Sequence, residues 1–447
     1  MALSGLDIYK LLPRTNCKQC GFATCLAFAM ALAQKKVSLD KCPQVTAEAK
    51  LALESASQPP IKLVTVGSGD KRIEIGNETV MYRHEQKFFH PCAIGFLVED
   101  SLGDNDISAA VAKINKLKFE RVGQEIGVNL ICVKNSSKKK DVFVSAVKTV
   151  VKAPDLNIAI FSDDLDTVRE ALAACNGRRP LLVCDQMSLL DAFTGLAKAS
   201  GVPLAISCKD PEEAATATER IKKGGIDEIV INIKGRGITG RIQDFTCIRR
   251  TALKKNFRAL GYPVMAFTES PEPYMELAEA VSYVTKYAGI VIMKNTDREF
   301  IFPLLVVRQD IYQDPQKPVQ VEPKIYEIGK VTKDSPVLIT TNFSITYFTV
   351  AGEVEGSKVP SYIVSCDSEG MSVLTAWAAE KFTAETITEF VRRCGIEDVV
   401  THRKLVIPGY VSVLSGRLEE LSGWKVSVGP REASGITNFL RSYKQGS

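Results

Sequence analysis

The 447-residue sequence predicts an α/β protein in three parts: a small amino-terminal metal module, a central (β/α)8 TIM-type barrel, and a smaller carboxy-terminal sheet of flavodoxin-like or Rossmann-like type. Three observations carry that expectation. Four of the twelve cysteines crowd into residues 17–42, eight apolar runs recur between two proline-marked joints, and four more runs follow the second joint. The chain is 45% hydrophobic and 24% charged, which is ordinary for a globular protein and sets aside disorder and fibrous folds. A net charge of +5 is too slight to require a nucleic acid or an anionic membrane as partner.

The opening residues, MALSGLDIYKLLPRTN, lack the basic start, apolar core and small-residue cleavage site of a secretory signal, so a cytoplasmic protein is expected. The best membrane candidate, LAFAMALA at Leu26–Ala33, is far shorter than the roughly 20 apolar residues a spanning helix needs. In a reducing compartment, crowded cysteines read as a metal or redox site before a disulfide framework. Cys17, Cys20, Cys25 and Cys42 follow the spacing C-x2-C-x4-C-x16-C. Small residues around the first three let their thiolates converge, and the fourth returns after an intervening helix. Four thiolates suit a cubane [4Fe-4S] cluster or a tetrahedral zinc. Zinc ribbons usually carry two similar C-x2-C knuckles, whereas Cys42 stands alone before Pro43; the cluster is the favoured reading and zinc the other.

The first joint, SASQPPIK at Ser55–Lys62, follows a helix-like stretch, TAEAKLALESA, and bounds a module over residues 1–57. So small a module has little core of its own and fits stabilisation by a metal centre. The second joint, Asp314–Lys324, holds three prolines in eleven residues, which blocks both a helix interior and a central strand. Between the joints, over residues 58–322, lie AIGFLVE from Ala93, VNLICV from Val128, NIAIFS from Asn157, PLLVCD from Pro180, PLAISC from Pro203, EIVINI from Glu228, PVMAFT from Pro263 and GIVIMK from Gly289. Near-continuous apolar runs are the pattern of parallel strands buried on both faces. Eight of them alternating with helical stretches match a barrel in number and period, with a doubly wound open sheet as the alternative. The preceding LVTVGSGDKRIEIGNETVMYRHEQKF alternates like a β-hairpin that would close the barrel's bottom.

Residues 323–447 repeat the alternation with PVLITT, SYIVSC, KLVIPG and WKVSVG. Ligands of such open sheets bind beyond the carboxyl ends of the strands, which selects Thr340–Thr346, Cys366–Val373, Pro408–Tyr410 and Gly429–Gly435 as site loops. Their Gly, Ser and Thr residues at helix starts suit phosphate or amide groups, or ordinary turn and cap chemistry. No stretch makes a dinucleotide or P-loop fingerprint, and GRGITG at Gly235–Gly240 has the wrong spacing. The three histidines, His84, His90 and His402, read as structural or surface residues, Lys138–Lys140 as a solvated loop, and Trp377 as core. The eight cysteines outside the cluster read as core thiols.

The ordered combination of C-x2-C-x4-C-x16-C, barrel and small sheet resembles the large (gamma) subunits of corrinoid iron–sulfur proteins of the acetyl-CoA (Wood–Ljungdahl) pathway. The stretches GLDIYKLLPRTNCKQCGFATCLAFAMALA, ITTNFSITYFTVAGEVE and SYIVSCDSEGMSVLTAWAAEKF are similar to this family in particular, and the likeness runs the full length. It implies a methyl carrier. A corrinoid cobalt takes a methyl group from methyltetrahydrofolate with a methyltransferase's help and delivers it to acetyl-CoA synthase/CO dehydrogenase. The [4Fe-4S] cluster re-reduces cobalt after accidental oxidation. The resemblance also implies a heterodimer with a small (delta) subunit, and a component that turns over only with its partner proteins. It puts the cluster on Cys17, Cys20, Cys25 and Cys42, and corrinoid contacts on Thr340, Thr346, Gly370, Met371, Ser372, Val373 and Ala433.

Corrinoid domains that ligate cobalt through histidine carry D-x-H-x-x-G; here the residues two before the histidines are Tyr82, Phe88 and Val400, so the motif is absent. That absence agrees with the family, whose corrinoid is base-off without a protein ligand; a d8 Co(I) centre forms more readily without a strong axial donor. Two other classes compete. One is an iron–sulfur electron-transfer protein with a nucleotide- or flavin-binding domain. The other is a stand-alone methyltransferase with folate on the barrel, whose strand ends show no set of acidic or amide residues that singles out a pterin.

Overall fold

The computed structural model describes residues 5–33, 37, 39–46, 59–153, 155–175 and 177–445. The 57/58 boundary and, apart from Thr46, the helix expected over TAEAKLALESA lie outside the described residues. The chain divides into two compact units, residues 1–118 with 127–312, and residues 119–126 with 313–447.

In the first unit, helices Gly5–Leu11 and Cys25–Ala33 pack through Ile8, Leu12, Phe28 and Ala29. A hairpin follows, β1 (Val64–Val66) against β2 (Ile73–Ile75). β3 (Ala93–Glu99) begins the barrel. After a polar hairpin, β4 (Lys118–Arg121) and β5 (Gln124–Gly127), whose residues 119–126 belong to the second unit, the barrel continues with β6 (Leu130–Lys134), β7 (Asn157–Phe161), β8 (Leu181–Cys184), β9 (Leu204–Cys208), β10 (Ile229–Ile233), β11 (Val264–Phe267) and β12 (Ala288–Met293). The eight parallel strands close with β12 beside β3. All eight apolar runs thus become barrel strands, and the open-sheet alternative is set aside.

Burial on both faces explains why these runs were continuous: every residue of β8, β9, β10 and β12 is buried. The barrel interior is filled by Leu130, Ala159, Val183, Ala205, Met265 and Ile290, together with Val64, Val66, Ile73 and Ile75 of the first hairpin. These hairpin residues meet the amino-terminal ends of the strands, so the hairpin plugs the bottom as expected. Polar bonds fix it there: Thr65 N–H donates to Glu228 Oε1 at 2.9 Å, and Asn157 Nδ2 donates to Lys71 O at 2.7 Å. Helix starts follow local signals. Asp164 and Asp210 cap Leu165–Ala174 and Pro211–Lys223, and Glu272 caps Pro273–Thr285, with proline in the first turn of the last two.

The second unit is a five-stranded sheet, in the order β13 (Ile325–Ile328), β15 (Ser361–Cys366), β14 (Val337–Thr341), β16 (Lys404–Ile407) and β17 (Lys425–Val428). All are parallel except the edge strand β13. The proline-rich joint does not hang free. Its later part lies along the loop after β14, where Val321 N–H donates to Asn342 O at 2.8 Å and Ser344 N–H to Val319 O at 3.0 Å. The turn between β4 and β5 places Val122 and Gly123 at φ 56° and 70°, the two left-handed positions of a tight hairpin.

Three readings of single residues change. Trp377 is 41% exposed on the short helix Val373–Ala378, where Ala376 rather than Trp377 faces the core. Cys247 is exposed and Cys394 half-buried, so six of the eight other cysteines are buried core thiols. The histidine reading holds for His402, whose ring accepts Lys404 N–H at Nδ1 and meets Ser335 O at 2.9 Å through Nε2. No helix among the described residues is long and apolar enough to cross a membrane.

Ile75 of the plug is completely buried, so Ile75→Ala should lower unfolding stability by about 2–5 kcal/mol in denaturant titration, while Met275→Ala on the surface should stay within about 0.5 kcal/mol. Equal effects of the two would mean the hairpin does not fill the barrel.

Candidate functional site

In the second unit the parallel order β15-β14-β16-β17 reverses direction between β14 and β16, the switch point at which flavodoxin-like sheets open a crevice beyond their carboxyl ends. A cleft lies there. Thr340 at the end of β14, Pro408 after β16, Gly429–Arg431 after β17, and Thr346, Val373, Tyr410 and Ala433 line it, with Val350, Ile436 and Phe439 as apolar wall. Thr340 is 1% exposed, and its Oγ1 has no hydrogen-bond partner. A buried hydroxyl left unpaired costs about 1–3 kcal/mol, so one that lines a cleft marks where a ligand's polar atom would sit.

The loops around the cleft are held from beneath by Asn342, which is completely buried. Its Oδ1 accepts from Ser368 N at 2.9 Å, Ser368 Oγ at 2.8 Å and Gly370 N at 3.0 Å, while its Nδ2 donates to Gln320 Oε1 at 2.9 Å. One amide thus ties the β14 loop, the β15 loop and the proline-rich strap together. Gly370 sits at φ +74° with Pro318 O 3.0 Å from where a Cβ would be, so a side chain there would meet both strain and backbone. Gly409 lies against the β17 loop; a Cβ would approach Gly429 O to 2.6 Å.

Thr340, Thr346, Val373 and Ala433 of the expected corrinoid set therefore line one cleft, whereas Gly370, Met371 and Ser372 sit in the Asn342-held turn leading to Val373. Ser372 occupies the N-cap position of Val373–Ala378, and Met371 packs against the sheet core. Asn342 and Gly409 were inside the selected loops but not singled out. An asparagine among threonines and serines reads as turn chemistry, and only the contact between the β16 and β17 loops makes Gly409 necessary. The cleft's acceptors and donors fit a large neutral ring with amide arms. His402, in the same unit, precedes β16 and so stands at the opposite end of that strand from the cleft. Burial pushes the Cys366 thiol, near the cleft, well above its usual range, and takes those of Cys92, Cys132, Cys184 and Cys208 up to about 12; these are not thiolate donors.

The amino-terminal cysteines have different surroundings. Cys20, Cys25 and Cys42 border one apolar cluster with Ile8, Leu12 and Phe28, and Cys17 is half-buried in the loop before them. Arg14, Asn16, Lys18 and Gly21 take positive φ of 57°, 47°, 61° and 85°, a winding of the kind that forms backbone nests around anions and iron–sulfur groups. Asn16 closes the loop: its Oδ1 accepts Cys25 N–H at 2.8 Å and its own N–H donates to Cys25 Sγ at 3.3 Å. Among the described residues no three or more His, Cys, Asp or Glu side chains are gathered as a metal-ion site. Donor type and loop winding nevertheless fit an iron–sulfur cluster.

A family model described as "CO dehydrogenase/acetyl-CoA synthase delta subunit" matches residues 63–440, and one described as "Putative Fe-S cluster" matches residues 12–44. The chain is 45% identical to the corrinoid/iron-sulfur protein large subunit of Moorella thermoacetica, with 99% of each chain covered. It is 33% identical to the acetyl-CoA decarbonylase/synthase complex subunit gamma of Methanothermobacter thermautotrophicus, covering 98% of this chain and 99% of that one. A solved 7,8-dihydropteroate synthase from Vibrio fischeri overlaps 56% of this chain and 100% of that one at TM-score 0.39 and 13% identity, a likeness that carries no argument. The two subunit letters are resolved by length, since the delta description covers the barrel and sheet alone while the large and gamma relatives match from end to end. The chain belongs to the family of corrinoid/iron-sulfur protein large subunits and acetyl-CoA decarbonylase/synthase gamma subunits.

Proposed function

We propose that this chain is the corrinoid-carrying subunit of a methyl-transfer system, organised as a [4Fe-4S] module over residues 1–57, a barrel over 58–322 and a corrinoid-binding domain over 323–447. The observation that carries the reading is the unpaired Thr340 hydroxyl, buried at the switch point of a flavodoxin-like sheet in a chain that matches corrinoid proteins along its whole length.

When bound, the corrinoid supplies a cobalt centre that accepts and releases a methyl group, and the cluster supplies the electron that restores that centre. The chain's residues provide the setting. Thr340 and Thr346 offer hydroxyls, Gly370, Met371 and Ser372 a fixed turn, and Val373 and Ala433 apolar contact at the cleft wall. Asn342 holds the turn in place before any ligand arrives, so little loop ordering is left to oppose binding. No histidine is among the described residues that line the cleft, an arrangement that suits a base-off corrinoid. Cys17, Cys20, Cys25 and Cys42 would hold the cluster, with the Asn16 N–H bond to Cys25 adjusting its potential.

On the methyl-carrier reading we assign as partners a small (delta) subunit in a heterodimer, a methyltetrahydrofolate:corrinoid methyltransferase, and acetyl-CoA synthase/CO dehydrogenase, all in the cytoplasm; the relatives' names support a subunit of a larger complex. The alternative, an electron-transfer protein with a nucleotide- or flavin-binding domain, has no supporting fingerprint in the cleft loops.

Cobalt and iron analysis of the protein purified with its small subunit tests the reading; stoichiometric cobalt and iron are expected, and iron without cobalt would sink it. Thr340→Leu should lower retained cobalt by roughly tenfold, the scale of one lost hydrogen bond, with iron unchanged. Cys42→Ser should do the reverse, losing iron while cobalt stays. Asn342→Ala leaves the donors of Ser368 and Gly370 unpaired at a cost of about 1–3 kcal/mol, so amide exchange at those two residues should accelerate; unchanged exchange would show that the turn stands without it.

A further inference from the structure

The barrel has its own cavity, of about 280 Å³, at the carboxyl ends of its strands. Leu97, Phe161, Phe267 and Ile292 line its apolar side. Phe161 and Phe267 end β7 and β11, strands on opposite sides of the closed barrel, yet their ring centroids are 5.5 Å apart. The two rings thus span the mouth and make a floor over the barrel core.

The charges above that floor are unbalanced. Lys134, Lys234, Arg241 and Lys294 line the cavity against Asp185 and Glu269. Lys234 is paired with Asp185 at 3.0 Å, and Arg241 with Glu269. Arg241 is also committed to Ile233 O, Phe267 O and Tyr283 OH, so it serves the wall. That leaves Lys134 and Lys294, which make no ion pair among the described residues. Lys134 ends β6 and Lys294 follows β12, the two neighbours of β3, so they stand on either side of that strand.

Buried carboxylates tie down the backbone beside both lysines. Glu276, 2% exposed, accepts the backbone N–H of Lys294 at 2.7 Å and of Asn295 at 3.0 Å. Asp100, completely buried, accepts Ser136 N–H and Ser137 N–H, both at 2.8 Å, just beyond Lys134. Glu279 does the same for Glu269 and Ser270. A fixed backbone that presents two cations outside any ion pair, one of them 5.5 Å from the centroid of the Phe161 ring in the aromatic floor, supplies the elements of a ligand site, in the position where barrels of this kind place theirs.

We propose that the barrel mouth binds an organic dianion, a phosphate monoester or a dicarboxylate, with its anionic part at Lys134 and Lys294 and its flat apolar part against Phe161 and Phe267. This site lies wholly in the first unit and does not rest on the corrinoid reading.

Calorimetry on the full chain with phenyl phosphate, phthalate and inorganic phosphate tests it. Phenyl phosphate or phthalate should bind more tightly than inorganic phosphate, and the better of the two identifies the anion class. Binding should weaken at least tenfold in Lys134→Gln/Lys294→Gln and weaken with added salt, while the double variant still unfolds in one cooperative transition. Phe161→Leu should remove the advantage of the aryl probes and leave inorganic phosphate unaffected. Failure of all three probes to bind the folded chain at millimolar concentration, or undiminished binding in the double lysine variant, overturns the proposal. Inorganic phosphate binding as tightly as the aryl probes overturns its aromatic half.

Discussion

Parallel strands end in loops whose backbone groups the sheet does not satisfy, and this structure meets that constraint with buried polar side chains that reach up into the loops. Asn342 performs this task in the carboxy-terminal sheet, and Asp100, Glu276 and Glu279 perform it in the barrel. Each accepts at least two hydrogen bonds from its loop while buried, which is where such bonds matter most and where leaving them unmade is costly. The apolar strands place the loops, but these four side chains fix their shape. Both candidate ligand sites lie among loops held this way.

The strands were legible because burial on both faces removes most polar residues from them, so β10 reads IVINI with only Asn232 to interrupt, and that residue donates to Ser207 at 2.9 Å. What escaped was polar or short. β4 and β5 read KFER and QEIG, with most residues exposed or half-buried, and gain their order from a left-handed turn at Val122 and Gly123 rather than from periodicity. The edge strand β13 hides behind the proline-rich joint. Trp377 was misread because residue type says nothing about which face of a one-and-a-half-turn helix meets the core.

At the cleft, loop position was legible and individual roles were less so. The sheet rule selected the loops, and Thr340, Thr346, Val373 and Ala433 within them came from the likeness to corrinoid iron–sulfur large subunits. Asn342 could not be separated from its neighbours, since its importance comes from Gln320 and Ser368, partners on either side of it in the sequence brought together only by the sheet order. The thiols divide on similar grounds. Spacing distinguished the amino-terminal four, while only the fold distinguishes buried Cys366 from exposed Cys247.

The two strand-end cavities follow one topological rule and differ in chemistry, and that difference argues for different occupants. The cleft beyond β14 and β16 holds hydroxyls, backbone amides and apolar walls, with Arg431 as its only charged lining residue among those described. A large ring with amide arms can recover hydration lost on entering such a cleft through hydrogen bonds to its hydroxyls and backbone amides. A small dianion there would lose its water and meet a single cation. At the barrel mouth the balance reverses, because Lys134 and Lys294 line the cavity without an ion pair among the described residues and the backbone beside them is held by Asp100 and Glu276. The two linings thus differ in charge more than in position: one charged residue at the cleft, six at the barrel mouth.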